Sequence, residues 1–250
     1  MNSSKLLSLA AALLVLPAVA GAMTADELVA KTLAAHGGAD KLKALQTVRW
    51  TGKARAGSGI NSFEADYSAV TKRPGRVRGS YNIQGFDNVY AYDGKEGWKI
   101  EPGGGRKDPE RLSKDDAKSL VESADFEGWL VDWRAKGHKV EYLGTEDIDG
   151  TDAHKLKLTR ANGDFHYLFI DPDYFLEIRI ETHRRIRGVE QVTEVDLGEY
   201  EQVGGTWWPY LVVEREKGSP ESNTLMLDKV ELDVPIDDAV FRFPESPKKK

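Results

Sequence analysis

The five histidines, His36, His138, His154, His166 and His183, are the side chains best suited to ligate a metal or to move protons near neutral pH. None falls in an H-E-x-x-H pattern or another helical metal pair. His166 and His183 lie on successive expected strands, which allows them to be neighbours. A zinc site needs three or four ligands, so the expectation is partly exposed strand histidines and no metal. Ser58 is flanked by glycines but lacks the G-x-S-x-G context of a hydrolase nucleophile, and it reads as hairpin turn. Asp147-x-Asp149-Gly150 resembles part of a calcium loop without its spacing or closing Glu, and Asp171-Pro172-Asp173 has turn chemistry. There is no phosphate loop or dinucleotide fingerprint. Cysteine is absent, which removes thiolate ligands, a Cys nucleophile and disulfides. No catalytic residue, metal or cofactor is expected, and the chain is not read as an enzyme.

Composition sets the frame for those residues. Of 250 residues, 40% are hydrophobic and 30% charged, which describes a water-soluble globular chain. Thirty-five Lys and Arg against 41 Asp and Glu leave a formal charge of −6, which argues against nucleic acid as a partner. A monomer is expected. Lys5, an apolar run over residues 6–15, Pro17 and then Ala20-Gly21-Ala22 read as an export signal cut after Ala22. Residues 23–250 then form one domain in a periplasm-like space. Without disulfides its stability must come from core area, and 228 residues suffice for that.

Two helices are expected to position the rest. Thr24-Ala25-Asp26-Glu27 has the form of a capping box, with Leu28, Val29, Leu33 and Ala34 at helical spacing before Gly37-Gly38. One more turn follows over residues 40–45. Ser113-Lys114-Asp115-Asp116 opens a second, long helix whose stripe of Leu120, Val121, Ala124, Trp129, Leu130 and Trp133 runs out to Gly137. Almost everything else alternates with period two, beginning with Val48, Trp50, Gly52, Ala54 and Ala56. Phe63, Ala65, Tyr67 and Ala69 follow, then Val77, Tyr81 and Ile83, then Tyr90, Tyr92, Trp98 and Ile100 about an Asp93-Gly94 turn. Further runs cover residues 140–148, 154–160, 165–170, 175–182, 189–200, 206–216 and 225–234. This gives eleven or twelve strands in an antiparallel meander, a mainly β (α+β) fold.

A sheet of that size must curl, and the long helix is its natural cover. The space between them is either packed core or a pocket for an apolar ligand, and periodicity does not separate the two.

At Thr71-Lys72-Arg73-Pro74, Arg78, Asp93-Gly94, Trp98 and Pro102 the chain resembles the LolA/LolB family of periplasmic lipoprotein carriers. The D-G-x-x-x-W-x-x-x-P segment stands at residues 93–102, and Asp238-Ala239-Val240-Phe241-Arg242-Phe243-Pro244 looks like the family's closing strand. The resemblance implies an incomplete barrel of about eleven strands with a helical lid over a hydrophobic cavity for acyl chains. It also implies a lid latch at Arg73, where an Arg fork on carbonyls or carboxylates contributes roughly 1.5–3 kcal/mol. The aromatics that usually follow Lys-Arg-Pro are missing, since this chain has Gly75-Arg76-Val77-Arg78-Gly79. Gly37-Gly38 with Lys41, Leu42 and Leu45 looks like a divergent branch. Met23 stands where a lipid-anchored receiver would carry an acylated cysteine, which leaves the soluble shuttle.

The function implied is a periplasmic carrier of lipoprotein acyl chains or other lipids, working between membrane donor and acceptor proteins. The expected cavity lining is Trp50, Phe63, Tyr67, Tyr81, Ile83, Tyr90, Tyr92, Trp98, Leu120, Trp129, Leu130 and Trp133. Two alternatives stand beside it. One is a lipid-sensing regulatory module related to anti-sigma-factor-binding proteins, and the other is an enzyme acting on a lipid or glycan.

Overall fold

The computed structural model describes residues 23–57, 62–83, 85–102 and 108–244. The export signal over residues 1–22, Ser58, the Gly103-Gly104-Gly105 loop and Lys248-Lys249-Lys250 lie outside the described residues.

The capping box forms at the start of α1 (Ala25–Ala35). Thr24 Oγ1 accepts from the Glu27 amide at 3.2 Å, and Glu27 Oε2 accepts from the Thr24 amide at 2.8 Å. These two bonds satisfy N–H groups that a helix end otherwise leaves open. The helix buries Leu28, Val29 and Thr32 against the sheet. Thr24→Ala is expected to cost about 1 kcal/mol. Thermal unfolding followed by circular dichroism checks this, with a melting point roughly 2–4 °C lower.

Gly37 and Gly38, at φ 106° and 101°, turn the chain into α2 (Ala39–Ala44). A Cβ on Gly37 would fall 2.2 Å from the Gly205 carbonyl oxygen, so only glycine lets this corner sit on the sheet.

Thirteen strands follow among the described residues, one more than the upper expectation. They are β1 (Thr47–Ala56), β2 (Phe63–Lys72), β3 (Arg76–Ile83), β4 (Phe86–Tyr92), β5 (Gly97–Ile100) and the two-residue β6 (Glu110–Arg111). After α3 (Lys118–Ser123) come β7 (Lys139–Ile148), β8 (Thr151–Thr159), β9 (Phe165–Ile170), β10 (Glu177–Ile186), β11 (Val189–Val203), β12 (Thr206–Glu216) and β13 (Asn223–Leu232). They make one antiparallel sheet in the order β6-β5-β4-β3-β2-β1-β13-β12-β11-β10-β9-β8-β7. Its two edges, β6 and β7, do not pair, so the curved sheet is an unclosed barrel. The β1–β13 pairing brings the beginning and end of the sheet's sequence together at its centre.

Register sorts the faces. Trp50 lies opposite Ala69 and Val230, and Ala54 lies opposite Ala65 and Leu225, so these residues share the inner face. On the other half of the sheet Leu156, Leu158, Leu168 and Ile170 are almost wholly buried against Leu28, Val29 and Leu130. Leu42, Val48, Val131, Trp208 and Val230 form a second cluster beneath α2.

Two expected elements differ. Residues 238–243 do not form a closing strand: Asp238–Phe241 is a 3-10 turn, capped by Asp237 Oδ1 accepting from the Ala239 amide at 2.9 Å. The expected long helix ends at Ser123, and the chain then runs through turns to residue 137. Gly128, Asp132 and Gly137 have φ of 85°, 49° and 74°, which an α-helix cannot include. Ala124, Leu130 and Val131 of that segment are buried all the same, and Phe126, Trp129 and Trp133 partly so. Among the described residues no helix is long and apolar enough to cross a membrane.

Candidate functional site: a covered cavity and its latch

The segment from α3 to residue 137 lies across the inner face as a cover, and charged groups tie it down on two sides. On one side Arg73, at the end of β2, donates from Nε to the Leu45 carbonyl at 2.7 Å and from Nη2 to the Leu42 carbonyl at 3.2 Å. These are among the final carbonyls of α2, which have no partner within the helix. The same Nη2 binds Glu127 Oε2 in the cover, and the guanidinium lies 5.1 Å from the centre of the Phe126 ring. Glu127 also meets Lys136 at 3.1 Å. Burial pushes the Glu127 carboxyl up, but its bonds to Arg73 and Lys136 outweigh this and hold it below the usual carboxylate range.

On the other side Glu122 of α3 meets Arg160 at 2.5 Å and Arg184 at 3.3 Å. Lys118 Nζ donates to the Arg185 carbonyl at 2.5 Å, and Arg187 pairs with Asp116 at 2.5 Å. Burial raises the Glu122 carboxyl despite both arginines. The cover therefore spans the opening of the half barrel, with Leu120, Ala124, Leu130 and Val131 in the apolar core clusters and polar contacts along its margins.

Two of the cavities among the described residues adjoin it. The smaller, about 260 Å³, is walled by Leu42, Phe126, Trp129, Leu130, Leu168 and Trp208. His36 and Glu177 close one side, with Nε2 and Oε2 2.5 Å apart. Burial pushes His36 down, yet the Glu177 carboxylate holds it above its ordinary value, and His36 holds Glu177 below the usual carboxylate range. These residues are 141 positions apart, and no local pattern marks them as partners.

The larger cavity, about 510 Å³, opens over the far ends of β1 to β3 and β12 to β13. Phe63, Ala65, Ile83, Val212 and Leu225 supply apolar wall, while Tyr67, Tyr81 and Tyr90 bring three ring faces and their hydroxyls. Ser123 of α3 reaches it from the cover, and Arg55 and Glu214 flank its exposed end. A volume of several hundred cubic ångströms is that of a small-molecule pocket.

The structure thus gathers five of the expected lining residues, Phe63, Tyr67, Tyr81, Ile83 and Tyr90, in one cavity and places Trp129 and Leu130 at the other. Four sit in packed core around them. Trp50 meets Trp208 edge-on at 6.0 Å, Tyr92 packs with Leu120 and Val77, and Trp133 packs near Leu130. Trp98 is on the opposite face. Tyr92 pairs with Gly97, so Trp98 pairs with Ala91 and points away from Tyr90 and Tyr92. It is buried there against Phe243, and its Nε1 donates to the Phe241 carbonyl at 2.8 Å.

The histidines also differ from expectation. His166 and His183 are on adjacent strands but opposite faces, because His166 pairs with Thr182 and His183 with Phe165. His166 is not partly exposed. It is fully buried, stacked on Trp129 with ring centroids 3.8 Å apart. Among the described residues no group of three or more His, Cys, Asp or Glu is placed to hold a metal ion.

No family model matches this chain, and no curated relative does either. Solved structures do. A domain named for outer membrane lipoprotein sorting, from Vibrio parahaemolyticus, superposes with a TM-score of 0.60 at 12% identity, over 86% of this chain and 94% of that one. A LolA superfamily protein from Nitrosomonas europaea gives 0.58 at 16% identity, over 88% and 98%. A DUF1329 family protein from Desulfovibrio piger gives 0.56 at 14% identity, over 87% and 97%. Identities this low speak to architecture alone, and on that ground the chain has a LolA-like fold: a curved, unclosed antiparallel sheet with a cover across its inner face.

Proposed function

We propose that this chain is a periplasmic carrier, not an enzyme, which shelters acyl chains of lipoproteins or other lipids and delivers them toward the outer membrane. The observation that supports this reading is the 510 Å³ cavity on the inner face, with apolar walls and three tyrosine rings. Each methylene moved from water into such a space contributes about 0.8 kcal/mol. A single long chain can therefore supply on the order of 10 kcal/mol before association costs are subtracted. The cover must then shift, which breaks the polar contacts at its margins. Arg73 is the latch on the α2 side. Residues 1–22 serve as the cleaved export signal, and the remaining domain acts as a monomer that meets donor and acceptor proteins at membranes.

The test is to purify the chain, extract it with organic solvent and weigh it intact by native mass spectrometry. Co-purified acyl lipid, and uptake of a fluorescent fatty acid that unlabelled palmitate displaces, are the expected results. A chain that emerges lipid-free and takes up no fatty acid is not a carrier.

A further inference from the structure

The larger cavity contains three phenols where a hydrocarbon chain alone calls for none. Tyr67 and Tyr90 hydroxyls stand 3.4 Å apart, with the Tyr81 ring packed beside both. The three rings pack in a row, with centroids 5.2 Å apart between Tyr67 and Tyr81 and 5.9 Å between Tyr81 and Tyr90. Gly79 fixes the middle of this group. A Cβ there would fall 2.2 Å from the Tyr90 hydroxyl oxygen, so the absence of a side chain is what lets Tyr90 lie across β3. Burial holds all three phenols above their ordinary range, so each stays a neutral donor. The one hydroxyl contact in the group, between Tyr67 and Tyr90, uses a single proton, so phenolic protons remain for an outside acceptor. The charged residues of this cavity, Arg55 and Glu214, are at its exposed end.

We propose that the Tyr67, Tyr81 and Tyr90 hydroxyls form a polar subsite at the inner side of this cavity, which takes the carbonyl oxygen of an ester-bearing acyl ligand. The inference rests on the carrier reading of the same cavity and narrows it. The ligand is recognised by its carbonyl as well as by its hydrocarbon, because a carbonyl oxygen accepts from these donors and a plain alkyl chain cannot.

A matched pair of ligands tests this. Methyl palmitate and heptadecane have the same number of carbons, and neither carries a charge that Arg55 or Glu214 could read. Each is delivered from cyclodextrin and assayed by displacement of bound N-phenyl-1-naphthylamine. The chain is expected to bind the ester about five- to tenfold more tightly than the alkane, the effect of one neutral hydrogen bond. Tyr81→Phe and Tyr90→Phe keep the rings and remove the hydroxyls. Both are expected to lose that preference, with heptadecane bound at least as tightly as by the parent, and retained alkane binding shows that the cavity is still folded. Tyr67→Phe serves as a third variant should either fail to fold. Equal affinity for the two ligands, or a preference that survives in the phenylalanine variants, overturns the subsite and leaves the carrier standing. Failure to bind either ligand overturns both.

Discussion

Arg73→Ala is expected to lower stability by about 2 kcal/mol and to free the cover. The side chain makes three bonds at once, to the Leu45 and Leu42 carbonyls and to Glu127, and it covers the Phe126 ring. Removing it leaves two helix-end carbonyls without their donor and leaves Glu127, only 11% exposed, with Lys136 as its remaining cation. A half-exposed pair would count for little, but a carboxylate this enclosed does not recover full hydration. For a chain of this size the melting point should fall by roughly 4–8 °C. The larger sign is local. Limited proteolysis should cut within residues 124–137 much faster, and fluorescent fatty acid should enter severalfold faster, because the second set of contacts at Glu122 still holds the other side. Arg73→Lys keeps the charge without the planar fork and should fall between the two. An unchanged cleavage rate in Arg73→Ala would remove the latch assignment.

The meander was legible because strand chemistry and turn chemistry agree locally. Asp93-Gly94, Asp149-Gly150, Asn162-Gly163 and Gly204-Gly205 separate alternating runs, and each of those runs overlaps an observed strand, with ends off by one or two residues in places. The missed β6 is two residues long and has no periodicity to read. The cover was misread because apolar spacing reports which residues are buried, not which backbone path buries them. Leu120, Ala124 and Leu130 are buried as a helical stripe would require, yet Gly128 and Asp132 take left-handed conformations between them. Asp132 in particular carries no signal that distinguishes a left-handed residue from a helical one.

The site divided along the same line. Residues on one strand announce their face by alternation, and so Phe63, Tyr67, Tyr81, Ile83 and Tyr90 could be grouped from the sequence. Trp98 could not be placed by that rule. Carrying alternation across the turn at residues 93–96 requires knowing which residues pair, and the Tyr92–Gly97 pairing inverts the assignment. Arg73 was reachable only through its resemblance to a family pattern, since nothing about an Arg before Pro indicates bonds to residues 28, 31 and 54 positions away. The His36–Glu177 pair and the stacking of His166 on Trp129 depend on tertiary packing and left no trace in spacing at all.

His166 gives the second large effect, an acid instability specific to one buried ring. Its Nδ1 lies 3.0 Å from Thr182 Oγ1, its Nε2 has no partner, and Trp129 covers one face. Burial is the main cause of its depressed pKa, with Arg160 and Arg184 adding to it, and the value falls to about 3. Between roughly pH 6.5 and pH 3 the unfolded chain therefore binds a proton that the folded chain refuses, and stability must fall as pH falls through that window. At 1.36 kcal/mol per unit, the cost reaches about 4 kcal/mol by pH 3. His166→Phe retains the stack and removes the titrating group. At neutral pH the variant should lie within about 1 kcal/mol of the parent, having lost one hydrogen bond and one unpaired nitrogen. On acidification its stability relative to the parent should rise by about 4 kcal/mol, read from denaturant melts at pH 7, 5.5, 4.5 and 3.5. Glu177 and the other carboxylates titrate in both proteins, and distant sites cancel in the difference. Parallel pH profiles would mean that His166 is not held neutral in the folded chain. Because its stacking partner Trp129 belongs to the cover, the same proton should loosen the cover before the sheet, so proteolysis within residues 124–137 should quicken at a higher pH than global unfolding.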